Sequence, residues 1–109
     1  MTARSINFTI PNAGYQSNII DIGADVLIST VFVPTQIVGN DLLFFGDPGD
    51  GIMQQLNFVF DLTSTTPYFK GQVVTDMSAK FAGLTRLQVQ TGVSDTQTQD
   101  ILITMGLTY

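Results

Sequence analysis

The chain has 109 residues and contains no cysteine, no histidine and no tryptophan, and all nine of its acidic residues are aspartates. Without cysteine there is no disulfide framework and no sign of an oxidising compartment. Without histidine or cysteine, the sequence also lacks the nucleophile-and-base pairs of common hydrolases and nearly all ligand sets for zinc or iron. We therefore expect a protein that is not an enzyme and that has no catalytic, cofactor-binding or metal-binding residues.

Charge is also scarce. Charged residues make up 12% of the chain, against about 25% in an average soluble domain. The four basic residues, in a chain of net charge −5, are too few to neutralise a run of phosphates, so we expect no nucleic acid partner. Neutral polar residues, namely Thr, Gln, Ser and Asn, must therefore provide most of the hydrated surface. The free-energy cost of removing water from a neutral polar surface is lower than from a charged one. This composition favours a broad contact with other proteins.

No apolar run is long enough for a signal peptide or a membrane span. We expect no membrane partner and a chain that is made and folded in a cytoplasm.

Alternating polar and apolar residues in the first half of the chain predict short strands separated by turns. The strands are predicted at residues 6–10, 18–22, 26–33 and 41–45. The third segment is apolar at both parities, which predicts a central strand covered on both faces. It stops at Pro34.

The second half continues in the same way, with strands predicted at residues 52–60, 68–75, 86–90 and 101–105. Residues 76–83 predict one helical turn, with Asp76 as its N-cap and Gly83 at its end. Residues 92–99 predict a polar loop. About eight short strands indicate an all-β single domain over residues 1–109, as an antiparallel β-sandwich, a jelly roll or a small barrel. Such a chain pairs distant residues, so we expect it to fold slowly.

The densest turn signal is the loop from Gly46 to Gly51. Asp47 and Asp50 could form the carboxylate pair of a glycosidase, or they could simply suit a turn. Asp41, Asp47 and Asp50 could bind calcium, although the spacing is too short for an EF-hand and no glutamate closes the shell. No lysine follows the glycines, which excludes a phosphate-binding loop of the usual kind.

Two further sets of residues have alternative readings. Tyr15, Tyr68 and Tyr109 could stack on sugar rings, as in a carbohydrate-binding domain, or could be half-buried strand residues. Arg86 could pair with an aspartate on a neighbouring strand, or could bind a carboxylate of a partner protein. We favour the cross-strand pair.

The segment FAGLTRLQVQTG at residues 81–92 resembles a pattern of small tailed-bacteriophage proteins, with Phe-Ala-Gly, an alternating strand and Thr-Gly. The segment FTIPNAGYQSNIIDIGADVLISTVFVP at residues 8–34 is similar to the N-terminal half of the same group. The apolar LLFF of residues 42–45, before the Asp/Gly-rich loop, extends the resemblance over most of the chain. Residues 76–80 depart from the Asp-Pro-Ala-Asp that often precedes Phe-Ala-Gly in that group.

The resemblance implies a virion structural protein, namely a capsid cement or decoration protein on the outside of an icosahedral phage head. It also implies a homotrimer whose partners are the major capsid protein and neighbouring copies of itself. The alternatives are a tail, baseplate or head-fibre module that contacts the host surface, and a carbohydrate-binding β-sandwich.

Overall fold

The computed structural model describes residues 3–23, 27–63 and 69–108 of the chain. They form eight strands and one helical turn, which confirms the predicted number and type of elements. The strands are β1 (Ala3–Ile10), β2 (Ile20–Asp21), β3 (Leu27–Phe32), β4 (Asp41–Asp47), β5 (Gln54–Asp61), β6 (Val73–Val74), β7 (Arg86–Thr91) and β8 (Ile101–Thr108), and the helical turn α1 (Ser78–Phe81) lies between β6 and β7.

The strands form two four-stranded sheets, ordered β1-β8-β3-β6 and β2-β7-β4-β5. All pairs are antiparallel, and β1 pairs with β8, β2 with β7, β3 with β6 and β4 with β5. The strands thus pair as in one long hairpin that is folded over into two layers. Within each layer the hairpin arms also pair with each other, β8 with β3 and β7 with β4. This order is that of a jelly roll, so the predicted all-β sandwich is confirmed.

The core lies between the two sheets and is built largely from alternate residues of β1, β3, β4, β7 and β8. Its fully buried side chains include Phe8 and Ile10 of β1, Ile103 and Met105 of β8, Leu42 and Phe44 of β4, and Leu87 and Val89 of β7. Burial of each such side chain contributes about 1.5–3 kcal/mol.

An aromatic cluster closes one side of the core. The ring of Phe44 lies 5.1 Å from that of Phe58, 4.9 Å from that of Phe60 and 5.5 Å from that of Phe81. Phe69 stacks on Phe60 at 4.7 Å. Because Phe81 belongs to α1, the cluster fixes the helical turn against the sheet of β4 and β5.

The prediction that β3 is covered on both faces is wrong. Its register with β8 shifts between Ile28 and Thr30, so the strand contains a bulge. The bulge shifts the inward-facing positions from even to odd residue numbers, so Ile28 and Val31 both point into the core. Leu27 and Phe32 lie on the outside and are 49% and 37% exposed. The apolar residues at both parities therefore belong to a bulged strand with one open face.

The start of the helical turn also differs from the prediction. Met77, not Asp76, occupies the N-cap position, and no side chain caps the turn. Asp76 has a left-handed backbone with φ of 60°, so it redirects the chain before the turn begins. Gly83 ends the segment with φ of 83°, as predicted.

The bounds of all eight strands differ from those predicted, and β1 and β8 each have eight residues where five were predicted. β2 and β6 have only two residues each, whereas β4 extends through Asp47. β4 is longer because Gly46 pairs with Leu87 on one side and Gln54 on the other. The exposed turn therefore begins at Pro48. The predicted strand at residues 68–75 lies in part outside the described residues.

Candidate functional site

The loop after β4 is organised by the carboxylate of Asp47, which is only 3% exposed. One oxygen, Oδ1, accepts hydrogen bonds from the amides of Gly49 and Gly51 at 2.8 and 3.1 Å. The other, Oδ2, accepts two from the Arg86 guanidinium at 3.0 and 2.7 Å. Arg86 also donates to the carbonyl of Gly51 at 3.1 Å. Both oxygens thus hold the loop against β7.

This network sets the protonation of Asp47. The Gly49 amide, and after it the Arg86 guanidinium, hold the pKa of the Asp47 carboxyl below its ordinary value, although burial acts in the opposite direction. A proton donor in glycoside cleavage needs a raised pKa. Asp47 is therefore unsuited to that role. The predicted cross-strand pair of Arg86 with an aspartate is confirmed.

The other two carboxylates considered as ligands, Asp50 and Asp41, have different surroundings from Asp47. Asp50 is exposed and accepts hydrogen bonds from the amide of Ile52 and the side chain of Gln54. Asp41 lies at the opposite end of β4, about 20 Å away at roughly 3.4 Å per residue. Among residues 3–23, 27–63 and 69–108, no three carboxylates come close enough to share a cation.

The described residues do not bring the three tyrosines together into a surface for stacking on sugar rings. Tyr15 is half-buried beside β7, where its carbonyl accepts the Thr91 amide at 2.8 Å. Tyr68 and Tyr109 lie outside the described residues. No pocket is found in the described part of the molecule. The outer faces of the two sheets are therefore candidate surfaces for binding.

The outer face of the sheet β1-β8-β3-β6, called here the A face, carries no charged side chain among its eleven described residues. They are Ser5, Asn7, Thr9, Leu27, Thr30, Phe32, Val73, Leu102, Thr104, Gly106 and Thr108, which point outwards by strand register and alternation of burial. Four of them are large hydrophobics, with exposures of 49% for Leu27, 37% for Phe32, 57% for Val73 and 48% for Leu102.

The outer face of the sheet β2-β7-β4-β5, called here the B face, is organised differently. Its middle is neutral, with Phe45 between Gln88 and Gln55, and Leu43 between Gln90 and Val59. Its ends carry charge, with Asp21, Arg86 and Asp47 in one row and Asp41 opposite Asp61 at the other end. The two faces therefore differ in charge although both have apolar residues.

One buried polar residue in the loops has a role that the sequence did not indicate. Gln97 is 2% exposed, and its side chain accepts the Val38 amide and donates to the Val38 carbonyl, both at 2.8 Å. It also donates to the Asp95 carbonyl at 3.0 Å, while its backbone bonds to Ala13 and Gly14. Gln97 therefore joins the loops that follow β1, β3 and β7.

In the described residues no helix is both long and apolar enough to cross a membrane. Comparisons of the chain with protein-family models, with curated proteins and with solved structures gave no match in any of the three.

Proposed function

We propose that this chain is a virion structural protein, a cement or decoration protein that binds the outer surface of an icosahedral phage head and stabilises it. Its partners would be the major capsid protein and neighbouring copies of itself in a homotrimer, and its place of action the virion, after synthesis in the host cytoplasm. The sequence resemblance over residues 8–34, 42–45 and 81–92 supports this proposal.

The observation that carries the proposal is that the chain has two broad sheet faces whose middles are neutral. A decoration protein must contact both a lattice and copies of itself, so it needs more than one surface that can give up its water at low cost. Neutral Thr- and Gln-rich strand faces meet that need. Each contact can be modest, since a multimer that docks at several points gains affinity from its high effective concentration.

The test uses heads of the phage that encodes the chain, prepared with and without the protein. Heads that lack it should melt at a lower temperature, and purified protein added back should restore the melting temperature, because a ligand that binds only the assembled state stabilises that state. Bovine serum albumin added at equal mass is the control for a general protein effect. Heads whose melting temperature is the same with and without the chain would refute a cementing role.

Placement in the particle separates this proposal from the alternatives. Immunogold labelling should cover the head surface evenly. Label confined to the tail or baseplate would indicate a module that contacts the host, and binding of the purified chain to host glycans would indicate a carbohydrate-binding domain.

A further inference from the structure

We propose that Asp50 and Gly51 form a modification site, where the Asp50 side chain closes onto the Gly51 nitrogen and reopens as isoaspartate. The hydrogen bonds of the loop slow this reaction in the folded chain. The inference goes beyond the proposed function and does not depend on it, since it concerns the chemistry of one peptide bond. The only other reactant is water.

The sequence contains the reactive pair once. Of the nine aspartates, Asp50 alone is followed by glycine. The reaction requires the next backbone nitrogen to approach the side-chain carboxyl carbon, and a side chain on that next residue obstructs the approach. The backbone of Gly51 is left-handed, with φ of 84°, which favours glycine at this position. The turn that forms the loop therefore also places an unhindered nitrogen beside Asp50.

Both residues are open to solvent. Asp50 and Gly51 are exposed, and a Cβ added at Gly51 would meet nothing within 4 Å beyond the adjacent residues. Among the described residues, no packed side chain therefore obstructs this side of the Gly51 backbone. Water, which must open the intermediate, also reaches the site.

The modification is a cyclisation followed by a hydrolysis. The Gly51 nitrogen attacks Cγ of Asp50, so that a bond forms between these atoms, the nitrogen loses its hydrogen, and one carboxyl oxygen leaves as water. A second water then opens the succinimide ring by breaking a carbon–nitrogen bond. If the original peptide bond breaks, the chain continues through the Asp50 side chain as isoaspartate. One water is released and one is consumed, and nothing is oxidised or reduced.

The folded loop restrains both reacting groups. The Gly51 amide donates its hydrogen to Oδ1 of Asp47 at 3.1 Å. The Asp50 carboxylate accepts hydrogen bonds from the Ile52 amide at 3.0 Å and from the Gln54 side chain at 3.2 Å. Ring closure removes the hydrogen that Asp47 accepts, so this hydrogen bond must break before the ring can form.

Asp47 restrains the Gly51 amide and does not activate it. The Asp47 carboxylate also accepts hydrogen bonds from the Gly49 amide and the Arg86 guanidinium, and a carboxylate stabilised in this way is a weak base. It is therefore a poor acceptor for the Gly51 proton. The rate of modification should follow the fraction of molecules in which the loop is locally open.

The experiment incubates the chain at neutral pH, both folded and in guanidinium chloride, and then digests it with an endoproteinase that cleaves before aspartate but not before isoaspartate. Unmodified chain gives a peptide of residues 50–60, and modified chain gives residues 47–60. The denatured chain should accumulate the longer peptide at least about tenfold faster, because no hydrogen bond restrains its loop. Cleavage before Asp41, which precedes Leu42, is the internal control and should stay complete.

A pair of glutamine variants tests the restraint on Asp50. Gln54→Ala frees one oxygen of the Asp50 carboxylate and should accelerate the reaction in the folded chain by about two- to tenfold, as the loss of one hydrogen bond allows. Gln55→Ala is the matched control. Gln55 is the adjacent exposed glutamine, and among the described residues it makes no hydrogen bond to the loop.

A second pair of variants tests the restraint on Gly51. Asp47→Asn removes the charged acceptor of the Gly51 amide and should accelerate the reaction by at least about tenfold. Gln97→Ala is the control for a general loss of stability, because Gln97 bonds to Val38, which precedes the other end of β4. Far-ultraviolet spectra establish that each variant is folded, and the glutamine pair decides if Asp47→Asn does not fold.

The inference is refuted if the peptide of residues 47–60 does not accumulate in denaturant, or if the folded wild type reacts as fast as the denatured chain. It is also refuted if Gln54→Ala reacts no faster than Gln55→Ala, or if Gln97→Ala accelerates the reaction as much as Asp47→Asn. A slower reaction in Asp47→Asn would show that this carboxylate acts as a base, which contradicts the restraint.

Discussion

Arg86 on β7 donates two hydrogen bonds to a single carboxylate oxygen of Asp47 on β4, and Asp47 is almost fully buried. The pair lies at the end of both strands, where β4 turns into the glycine-rich loop. The stability of the loop therefore depends on whether the Asp47 carboxylate is charged.

This relationship predicts a loss of stability in acid. Because the folded-state pKa of Asp47 is lowered, its contribution is fully present above the ordinary carboxyl pKa of about 4 and is lost as pH falls through the lower folded value. Asp47→Asn should lower the melting temperature at neutral pH. The difference in melting temperature between this variant and the wild type should become smaller below about pH 4. Asp50→Asn, in the same loop but exposed, is the control. A difference that stays constant with pH would contradict this account.

Gln97 should be important for stability despite its position in a polar loop. Gln97→Ala removes the partners of both the Val38 amide and the Val38 carbonyl. Since each buried polar group left without a partner costs about 1–3 kcal/mol, we expect a loss of roughly 2–4 kcal/mol in urea unfolding. Gln99→Ala, two residues further and exposed, should change the free energy of unfolding by less than about 0.5 kcal/mol. Equal effects of the two variants would show that Gln97 does not join the loops.

The aromatic cluster predicts a difference between two adjacent phenylalanines. Phe44→Leu removes ring contacts to Phe58, Phe60 and Phe81. At about 0.5–1.5 kcal/mol for each of the three aromatic pairs, it should cost roughly 1.5–4.5 kcal/mol. Phe45→Leu changes the outward, half-buried neighbour and should cost less. Chemical denaturation of both variants tests the order, and a larger loss for Phe45→Leu would contradict it.

Gly106 should be restricted by its neighbour on β3. A Cβ at this position would overlap the hydroxyl oxygen of Thr30. Gly106→Ala should therefore destabilise the chain by about 1–3 kcal/mol. The loss should be smaller in a Thr30→Ala background, because the obstructing atom is absent there. A double-mutant cycle measures this coupling, and additive effects would show that the overlap is relieved elsewhere.

Folding should be slow for a chain of this length. β1 can pair with β8 only after residues from opposite ends of the described chain meet. Since β-sandwiches with such distant pairings refold in about milliseconds to seconds, stopped-flow refolding should give times in that range. Refolding within microseconds would be inconsistent with this topology.

Much of the fold could be predicted because its signals are local. Alternation of polar and apolar residues predicts β1, β5, β7 and β8, and glycine-rich segments predict the turns between strands. The bulge in β3 could not be predicted in the same way, because it depends on the register with β8. Apolar residues occur at both even and odd positions of this strand, so alternation does not mark its buried face. Residues that read as a fully covered strand are in fact divided between the core and the A face.

The candidate site shows the same limit. The Arg86 pair could be anticipated, since an isolated arginine in an alternating strand needs a partner. The role of Gln97 could not, because its partner Val38 lies 59 positions away and the segment around it has an ordinary loop composition. Composition predicts a surface rich in Thr, Gln, Ser and Asn, but the confinement of charge to one of the two sheet faces follows only from the strand order.

The folded-over pairing of the strands has a consequence for synthesis of the protein. β7 and β8 are made last among the described strands, yet each lies in an inner position of its sheet. While they are still within the ribosome, β1 and β3 have no strand between them, and neither do β2 and β4. A nascent chain at that stage exposes unpaired apolar strands, so its escape from aggregation depends on how quickly the last strands emerge or on a chaperone.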